Sequence, residues 1–336
     1  MKKRIAINGF GRIGRLAYKE LLNDEELEVV AINDLTSPED LAYLLKYDSV
    51  HGRLEEEVHI EGDEIVCKDI HTKIFAIRDA RELPWKDLKI DIVLECTGVY
   101  TKLEDAKSHI EAGAKHVLIS APGKGEMKTI VYGVNESTLD GTEEVISAAS
   151  CTTNCLAPVL NILNDEYGVE SGFMTTVHAY TNDQVNLDVQ HKKGYMTRRG
   201  RACALNIIPS STGAASAIGK VIPELNGKLL GSALRVPVGD GSMIDLTLKL
   251  RKKVTKEEIN DLFEKNVDDI LNVTKDPIVS SDVIGQKCGS LVDLLLTEVL
   301  DVEDGQLVKV VAWYDNEGGY TAQMIRTMKH LCSLQK

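Results

Sequence analysis

The sequence predicts an α/β fold: a doubly wound Rossmann-type domain with a parallel sheet, followed by a mixed α+β domain with an antiparallel sheet. In the first half of the chain, short apolar runs alternate with helical stretches, a pattern typical of buried parallel strands joined by helices. The glycines of Gly9-x-Gly11-x-x-Gly14 follow the first run directly. In the second half, residues 243–250 alternate strictly between apolar and polar side chains, which indicates a half-exposed antiparallel strand.

The strands of the first domain are predicted from apolar runs that are too short for helices. They lie at residues 5–8, 29–33, 92–96, 117–120 and 145–149. Helices are predicted between several of them, at residues 37–46 and 102–112. The more charged segment 52–78 contains the turn signal Glu61-Gly62-Asp63, so we expect a small hairpin there.

The pattern changes after residue 150. Residues 173–178 and 307–312 are predicted as strands, and residues 255–271 as an amphipathic helix. We therefore place the first domain at residues 1–150 and begin the second at residue 151.

Length and composition restrict the function classes. At 336 residues the chain is long enough for two domains with a core each. The net charge of −13 argues against nucleic acid or an anionic membrane as a general partner, and no apolar run approaches the roughly 20 residues of a membrane span. We expect no signal peptide, because the N-terminus runs directly into the first strand. The seven cysteines, an odd number, favour a reducing cytoplasm. Cys151 and Cys155 lack further ligands nearby, so we expect no metal site.

The glycine motif predicts a dinucleotide-binding site. A strand precedes it and a helical segment follows, so Gly9 can form the tight turn and Gly11 can admit a pyrophosphate to the backbone. The second strand ends at Asp34, about 20 residues after the last glycine, where an acid binds the adenosine ribose. The alternative is a glycine turn that binds no ligand, and it leaves Asp34 unexplained.

A thiol stands at a predicted strand-to-helix junction, in Ser150-Cys151-Thr152-Thr153-Asn154-Cys155-Leu156-Ala157-Pro158. At a helix N-terminus, Cys151 lies beside unpaired backbone N–H groups and the positive end of the helix dipole, which favours the thiolate. Ser150, Thr152 and Thr153 add hydroxyl donors that suit an anion. The alternative is a buried, inert cysteine in a hydroxyl-rich turn.

Taken together, these features resemble the glyceraldehyde-3-phosphate dehydrogenase family from end to end. Besides the thiol segment, the motifs that carry the resemblance are Asn8-Gly-Phe-Gly-Arg-Ile-Gly-Arg15, Glu95-Cys-Thr-Gly98, Ser120-Ala-Pro122, Thr176-Val-His-Ala-Tyr-Thr181, Asn206-Ile-Ile-Pro-Ser-Ser-Thr-Gly-Ala-Ala215, Gly219-Lys-Val-Ile-Pro-Glu-Leu-Asn-Gly227, Arg235-Val-Pro237 and Trp313-Tyr-Asp-Asn-Glu317. The resemblance implies a second domain at residues 151–318, a final helix at 319–336 that returns to the first domain, and a homotetramer.

The resemblance implies a catalytic pair. Cys151 is the nucleophile, and His178 takes the thiol proton and holds the thiolate as an ion pair. The implied reaction oxidises a triose phosphate aldehyde through a hemithioacetal and a thioester with NAD as hydride acceptor. Inorganic phosphate then releases an acyl phosphate.

The resemblance also assigns the residues that bind anions and cofactor. Thr181 and Arg235 bind the substrate phosphate, whereas Ser150, Thr152, Thr212 and Gly213 bind inorganic phosphate together with an arginine. Counting back from Thr212 favours Arg198 for that arginine, with Arg199 as the alternative. The cofactor set is Gly9, Gly11, Arg12, Ile13, Asp34, Arg78, Thr97, Gly98 and Ser120, with Asn316 at the nicotinamide carboxamide. Trp313 and Tyr314 are expected in the core.

Several alternatives stay open. Val189-Gln190 stands where many NAD-preferring members have Leu-Pro, so NADP is a secondary cofactor candidate, although Asp34 would repel a 2′-phosphate. An erythrose-4-phosphate dehydrogenase would release a free acid, and the intact second anion set disfavours it. Aspartate-semialdehyde dehydrogenase motifs do not match. A cysteine hydrolase leaves the glycine motif unexplained, and a non-catalytic binding role leaves no trace in a sequence. Gly318, where a phenylalanine is usual, has no explanation.

Overall fold

The computed structural model describes residues 2–335. These form two compact units. The first comprises residues 2–130, 136–149 and 324–335, and the second comprises residues 131–135 and 150–323. No helix within the described residues is long and apolar enough to cross a membrane.

The first unit is built on one mixed sheet. Its strands are β1 (Lys3–Asn8), β2 (Leu27–Asn33), β3 (Val58–Glu61), β4 (Glu64–Cys67), β5 (Ile70–Phe75), β6 (Ile92–Glu95), β7 (His116–Ile119) and β8 (Val145–Ser147), in the order β3-β4-β5-β2-β1-β6-β7-β8. From β5 to β8 every neighbouring pair is parallel. The predicted Rossmann-type fold is therefore confirmed. The predicted hairpin is β3 paired antiparallel with β4, and Gly62 turns it with φ +62°.

Local sequence explains where the helices of the first unit begin and break. They are α1 (Arg12–Leu21), α2 (Pro38–Lys46), α3 (Leu103–Ala106) and α4 (Ser108–Glu111). The Ser37 hydroxyl caps α2, and Pro38 occupies its first turn. The single helix predicted at 102–112 is divided into α3 and α4. The Ser108 hydroxyl donates to the Asp105 carbonyl, a local bond that competes with helical pairing.

The second unit contains a second mixed sheet with helices. Its elements are α5 (Cys151–Tyr167), β9 (Val169–Ala179), β10 (Ile208–Ser211), α6 (Ala214–Val221), β11 (Leu229–Val236), β12 (Ser242–Leu250), α7 (Lys256–Lys265), β13 (Leu271–Thr274), β14 (Ser290–Asp293), β15 (Glu298–Val302), β16 (Gly305–Tyr314) and α8 (Gly318–Ser333). The order is β10-β11-β9-β12-β16-β14-β13, and β15 pairs with β16. Helix α5 packs against β14 and β16. The expected mixed α+β domain is confirmed.

Strand β12 shows why the alternating pattern was informative. It pairs antiparallel with β9 and with β16, and Ile244, Leu246 and Leu248 are fully buried. The helix predicted at 255–271 is wrong in its last turns, because α7 ends at Lys265. There the Asp268 carboxyl group accepts the N–H groups of Ile270 and Leu271, forming a turn before β13.

Helix α8, at Gly318–Ser333, corresponds to the final helix expected at 319–336. Its residues 318–323 belong to the second unit and its remainder to the first.

Candidate active site

A cleft of about 450 Å³ opens at the carboxyl ends of β1, β2 and β6, in the first unit. Ligands of open α/β sheets bind at this end of the strands. The lining residues are Asn8, Gly9, Gly11, Asn33, Asp34, Leu35, Ile77, Arg78, Cys96, Thr97, Val99 and Tyr100. The cleft thus brings together Gly9, Gly11, Asp34, Arg78 and Thr97 of the predicted cofactor set.

The three motif glycines are needed for different reasons. Gly9 has φ +92°, and a Cβ there would lie 2.7 Å from the Thr97 backbone nitrogen. A Cβ at Gly14 would collide with the Gly9 carbonyl oxygen. At Gly11, by contrast, a Cβ would meet no atom within 4 Å. The open space at Gly11, beside the N-terminus of α1, fits the approach of a pyrophosphate.

Two side chains at this turn are held by named partners. The Asp34 carboxyl group accepts the Phe10 N–H at 2.7 Å and the Thr36 N–H at 3.0 Å, which fixes its position at the cleft. Arg12 points its guanidinium to Asp48, with Nη1 2.8 Å from Oδ2. The Arg12 backbone lies at the start of α1, where a pyrophosphate would approach. Burial opposes the shift, but hydrogen bonds from the His51 and Val50 N–H groups and from Arg12 lower the pKa of Asp48 to about 2.

A buried polar network that the sequence analysis missed lies beneath the cleft. The Glu95 carboxyl group accepts from Asn8 Nδ2 at 2.6 Å and from the Thr97 N–H at 2.8 Å. His109 Nε2 is 3.2 Å from the same carboxyl group, and the Trp85 N–H lies 3.0 Å from His109 Nδ1. Because the indole only donates, Nδ1 accepts and Nε2 donates to Glu95. The available signal was an acidic residue closing an otherwise apolar strand.

The remaining cofactor candidates lie outside the lining of the cleft. Ile13 is in the first turn of α1, Gly98 follows Thr97 with φ +71°, and Ser120 follows β7. Asn316 belongs to the second unit, where its Oδ1 accepts the Ser242 hydroxyl at 2.6 Å.

The predicted thiol and imidazole meet in the second unit. Cys151 is the first residue of α5, and the Ser150 hydroxyl caps this helix by accepting the Thr153 N–H. His178 lies at the end of β9 and is 3% exposed. Its Nε2 is 3.4 Å from Cys151 Sγ. This arrangement has the geometry of an activated nucleophile and its base.

Arg235 and a backbone carbonyl hold the far side of the His178 ring. Nδ1 lies 2.7 Å from the Ala179 carbonyl oxygen and 2.8 Å from Arg235 Nη1, which also donates to that carbonyl at 2.9 Å. Strands β9 and β11 bring the two side chains together, because Arg235 is in register with His178. The Ala179 carbonyl can only accept, so its contact with Nδ1 requires the proton on that nitrogen. In this tautomer Arg235 donates to the Ala179 carbonyl and not to Nδ1, and Nε2 is free to accept the thiol proton.

Burial acts against the charged forms of both groups in the expected ion pair. Burial raises the pKa of the Cys151 thiol, although the Arg235 charge opposes this shift. Burial and the same Arg235 charge lower the pKa of His178 to about 3. Both shifts favour a neutral thiol beside a neutral imidazole. Burial is the common cause of the two shifts, whereas the Arg235 charge disfavours the imidazolium but favours the thiolate.

Tyr314 contacts both of the elements that carry Cys151 and His178. It is buried, as expected, and its hydroxyl lies 2.9 Å from Thr152 Oγ1 and 2.8 Å from Thr176 Oγ1. Its ring meets the His178 ring edge-on at 5.8 Å between centroids. A buried tyrosine hydroxyl needs partners, and here they belong to the two elements that carry the thiol and the imidazole.

The candidate anion-binding residues divide into two groups. Thr181, Arg199 and Arg235 lie together. The Thr181 hydroxyl donates to Asp183 at 2.6 Å, Arg199 forms an ion pair with the same carboxylate, and Arg235 Nη1 is 3.4 Å from Thr181 Oγ1. The charge of Arg199 also reaches His178. Within residues 2–335, no hydrogen bond joins Thr212 or Gly213, at the start of α6, to this group.

The structure separates the two candidate arginines. Arg198 has φ +59° and ends the short helical turn Tyr195–Thr197, and it forms no ion pair among the described residues. Arg199 is the one that pairs with Asp183 and acts on the catalytic pair. Both line a cleft of about 470 Å³ that also contains Ser210 and Ser211.

Comparison with known proteins gives consistent matches. Residues 3–103 match the family model described as glyceraldehyde 3-phosphate dehydrogenase, NAD binding domain, and residues 150–316 match its C-terminal domain. The chain is 56% identical over 333 residues to a glyceraldehyde-3-phosphate dehydrogenase of Clostridium acetobutylicum and 55% identical to one of Clostridium pasteurianum, with 99% of each chain covered. It is 50% identical to a glyceraldehyde-3-phosphate dehydrogenase of Streptococcus pyogenes, with both chains fully covered.

Proposed function

The chain belongs to the glyceraldehyde-3-phosphate dehydrogenase family, and we propose that it catalyses the phosphorylating oxidation of D-glyceraldehyde 3-phosphate to 1,3-bisphosphoglycerate. It is an NAD-dependent oxidoreductase that acts on an aldehyde. The observation that carries the finer proposal is the distance of 3.4 Å between Cys151 Sγ and His178 Nε2 at the N-terminus of α5.

The proposed chemistry begins with a proton transfer. His178 Nε2 takes the thiol proton, and Cys151 Sγ forms its bond to the aldehyde carbon as a thiolate. The developing oxyanion lies near the first N–H groups of α5, and it receives the proton from His178 to give the hemithioacetal. His178 then removes the proton from this hydroxyl as the carbon is oxidised to the thioester.

The backbone at Gly11 and the Asp34 carboxyl group would hold NAD, which would supply the acceptor for the hydride. Inorganic phosphate attacks the thioester carbon, the acyl phosphate leaves, and the Cys151 thiolate regains a proton. We propose Thr181 and Arg235 for the substrate phosphate. For inorganic phosphate we propose Ser150, Thr152, Thr212, Gly213 and an arginine.

We assign that arginine to Arg199 rather than Arg198, because the charge of Arg199 acts on His178, which lies beside the sulfur that carries the thioester. Its fork of N–H groups suits phosphate oxygens. Arg199→Ala should raise the KM for inorganic phosphate about 10- to 100-fold, the effect of a hydrogen bond to a charged group. Arg198→Ala, the matched control, should change this KM less than about threefold. The reverse order would return the assignment to Arg198.

The proposal also covers the domain bounds, the assembly and the site of action. They are domains at 1–150, 151–318 and 319–336, an assembly of four identical copies and a cytoplasmic site of action. Exposed apolar side chains between residues 187 and 207, including Tyr195, Met196 and Leu205, support burial against another copy. All seven cysteines are free, as suits a reducing compartment. Light scattering tests the assembly.

The test of the function is the initial rate of NAD reduction by glyceraldehyde 3-phosphate, with and without inorganic phosphate. We expect strong dependence on phosphate and much slower reduction of NADP. Reduction that ignores phosphate would replace the proposal with thioester hydrolysis, and erythrose 4-phosphate would then be tried as substrate. Comparable rates with NADP would establish dual cofactor use.

A further inference from the structure

We infer that Glu95 is a positioning residue for the cofactor: it holds the walls of the cleft in the first unit without lining the cleft itself. The inference rests on the assignment of this cleft to NAD in the proposed function. Glu95 is the last residue of β6 and is 1% exposed, and the next residue, Cys96, belongs to the lining. The Glu95 carboxyl group is therefore buried directly beneath the cleft.

A buried carboxyl group is costly unless hydrogen-bond donors surround it, and four donors surround that of Glu95. Oε1 accepts the N–H of Thr97 at 2.8 Å and the hydroxyl group of the same residue. Oε2 accepts from Asn8 Nδ2 at 2.6 Å and from His109 Nε2 at 3.2 Å. The Trp85 indole fixes the last of these donors, because it donates to His109 Nδ1. A fully satisfied buried network of this kind makes its surroundings rigid.

The first wall that Glu95 holds is the loop after β6. The Thr97 hydroxyl group donates to Glu95 and accepts the Val99 N–H at 3.0 Å, and Thr97 and Val99 both line the cleft. The glycine turn packs on the same loop, because a Cβ at Gly9 would lie 2.7 Å from the Thr97 backbone nitrogen. A displacement of Thr97 would therefore also displace the glycine turn.

Two asparagines connect Glu95 to the walls at the ends of β1 and β2. Asn8 donates to Glu95 from Nδ2, and its Oδ1 accepts from Asn33 Nδ2 at 2.7 Å. Asn33 Oδ1 in turn accepts the Ile77 N–H at 2.9 Å. Asn8, Asn33 and Ile77 all line the cleft. Because the Ile77 N–H can only donate, it fixes the orientation of both amides, and Glu95 is the acceptor at the end of the series.

The fixed direction of these hydrogen bonds makes Glu95→Gln the most informative variant. Glutamine keeps the shape of the side chain, but it places an NH₂ group against a donor whichever way its amide turns. The asparagine series cannot reverse to accept from this group, because the Ile77 N–H can only donate. Cofactor binding would then have to restore walls that the network no longer holds. We expect the Kd for ADP-ribose, which is NAD without its nicotinamide ring, to rise about 10- to 100-fold in calorimetry, the effect of an unsatisfied buried donor.

Kinetics separates positioning from a merely structural role. In Glu95→Gln the KM for NAD should rise by a factor similar to that of the Kd, while kcat at saturating NAD changes less than about threefold. Alkylation of Cys151 in the absence of NAD should keep its rate. A merely structural role predicts fewer binding sites per chain and a lower kcat with an unchanged Kd, and this result would overturn the inference. Unchanged Kd and KM values would overturn it as well.

Asp91→Asn is the matched control. Asp91 is also buried in the first unit, but it precedes β6 at the opposite end of the strand and lies outside the lining. Its carboxyl group accepts the Arg4 N–H at 2.8 Å and Lys115 Nζ at 2.7 Å. This variant should be less stable than the wild type, with a Kd for ADP-ribose that changes less than about twofold. An equal loss of binding in the two variants would contradict a specific role of Glu95.

Two variants of His109 decide the matter if Glu95→Gln does not fold. His109→Gln keeps a donor for Glu95 and an acceptor for the Trp85 indole, whereas His109→Leu removes both. We expect the Kd for ADP-ribose to rise roughly 5- to 20-fold in His109→Leu and to return close to the wild-type value in His109→Gln. Equal Kd values in these two variants would overturn the inference. Failure of the wild-type protein to oxidise glyceraldehyde 3-phosphate would instead overturn the proposed function, while ADP-ribose binding would still decide the role of Glu95.

Discussion

The cleft of the first unit is made mainly of backbone, whereas the thiol site of the second unit is made of side chains. At the cleft, Gly9 and Gly11 shape the chain, and Asp34 is fixed by the N–H groups of residues close in sequence. At the thiol site, Cys151 of α5 meets His178 of β9, and His178 meets Arg235 of β11, so the site depends on three separate elements. A backbone site tolerates most substitutions that preserve its turn, but a side-chain site depends on each member.

The proposed nucleophile gives the sharpest test of this difference. Cys151→Ser should lower the rate of NAD reduction about 10⁴-fold or more, because a hydroxyl is a far weaker nucleophile than a thiolate. NAD binding, measured by calorimetry, should be largely unchanged. Cys155→Ser, in the same helix with its sulfur near the Ala312 and Trp313 carbonyls, is the control and should retain activity. Normal turnover in Cys151→Ser would remove Cys151 from the mechanism.

Replacement of His178, the proposed base, should have the next largest effect on the rate. His178→Asn should lower kcat about 10²- to 10⁴-fold, the usual contribution of a general base. It should also slow alkylation of Cys151 near neutral pH, and unchanged alkylation would exclude His178 as the activating group.

Because the pKa of His178 is lowered to about 3 while an unfolded histidine titrates near 6.5, the unfolded state binds more protons between these values. This histidine therefore makes the wild type less stable as pH falls from about 6.5 to 3, and His178→Asn should lose less stability across that range.

The features that the sequence predicts are those set by local sequence, whereas the contacts that arise from packing are not predictable from it. The order of β1, α1 and β2, the role of the motif glycines and the strand β12 were predictable, because each depends on a local pattern. The end of α7 was not, because it depends on the single turn at Asp268. The support given by Tyr314 to Thr152 and Thr176 was also missed, since it arises only when α5, β9 and β16 pack together. Counting residues could not choose between Arg198 and Arg199, because a loop of irregular conformation precedes them.

At the cleft, a smaller effect is expected from Asp34, the side chain that we propose selects the cofactor. Asp34→Gly should reduce the ratio of kcat/KM for NAD to that for NADP by about 10- to 100-fold, because it removes a hydrogen bond to the ribose and a repulsion of the 2′-phosphate. Activity with NAD should persist, since Gly9 and Gly11 retain the turn. An unchanged ratio would mean that Asp34 does not meet the ribose, and that the segment containing Val189 and Gln190 has to be tested instead.

The smallest effect concerns the ion pair beside the glycine turn, and it should appear in stability rather than in chemistry. The pKa of Asp48 is lowered to about 2 in the folded protein, against about 3.9 in an unfolded chain. The folded state therefore gains stability from the ionised carboxylate above pH 4, and this gain is lost as pH falls from about 4 to 2. Asp48→Asn should cost about 1 to 2 kcal/mol of unfolding free energy at neutral pH, allowing for screening by solvent, and should flatten the acid dependence in that range. Urea unfolding at pH 7 and pH 3 measures both quantities. Because this change would remove the Arg12–Asp48 ion pair while the Arg12 backbone stays at the start of α1, the KM for NAD should change less than about threefold. A larger change would mean that the Arg12 side chain, and not only the backbone, contributes to the cleft.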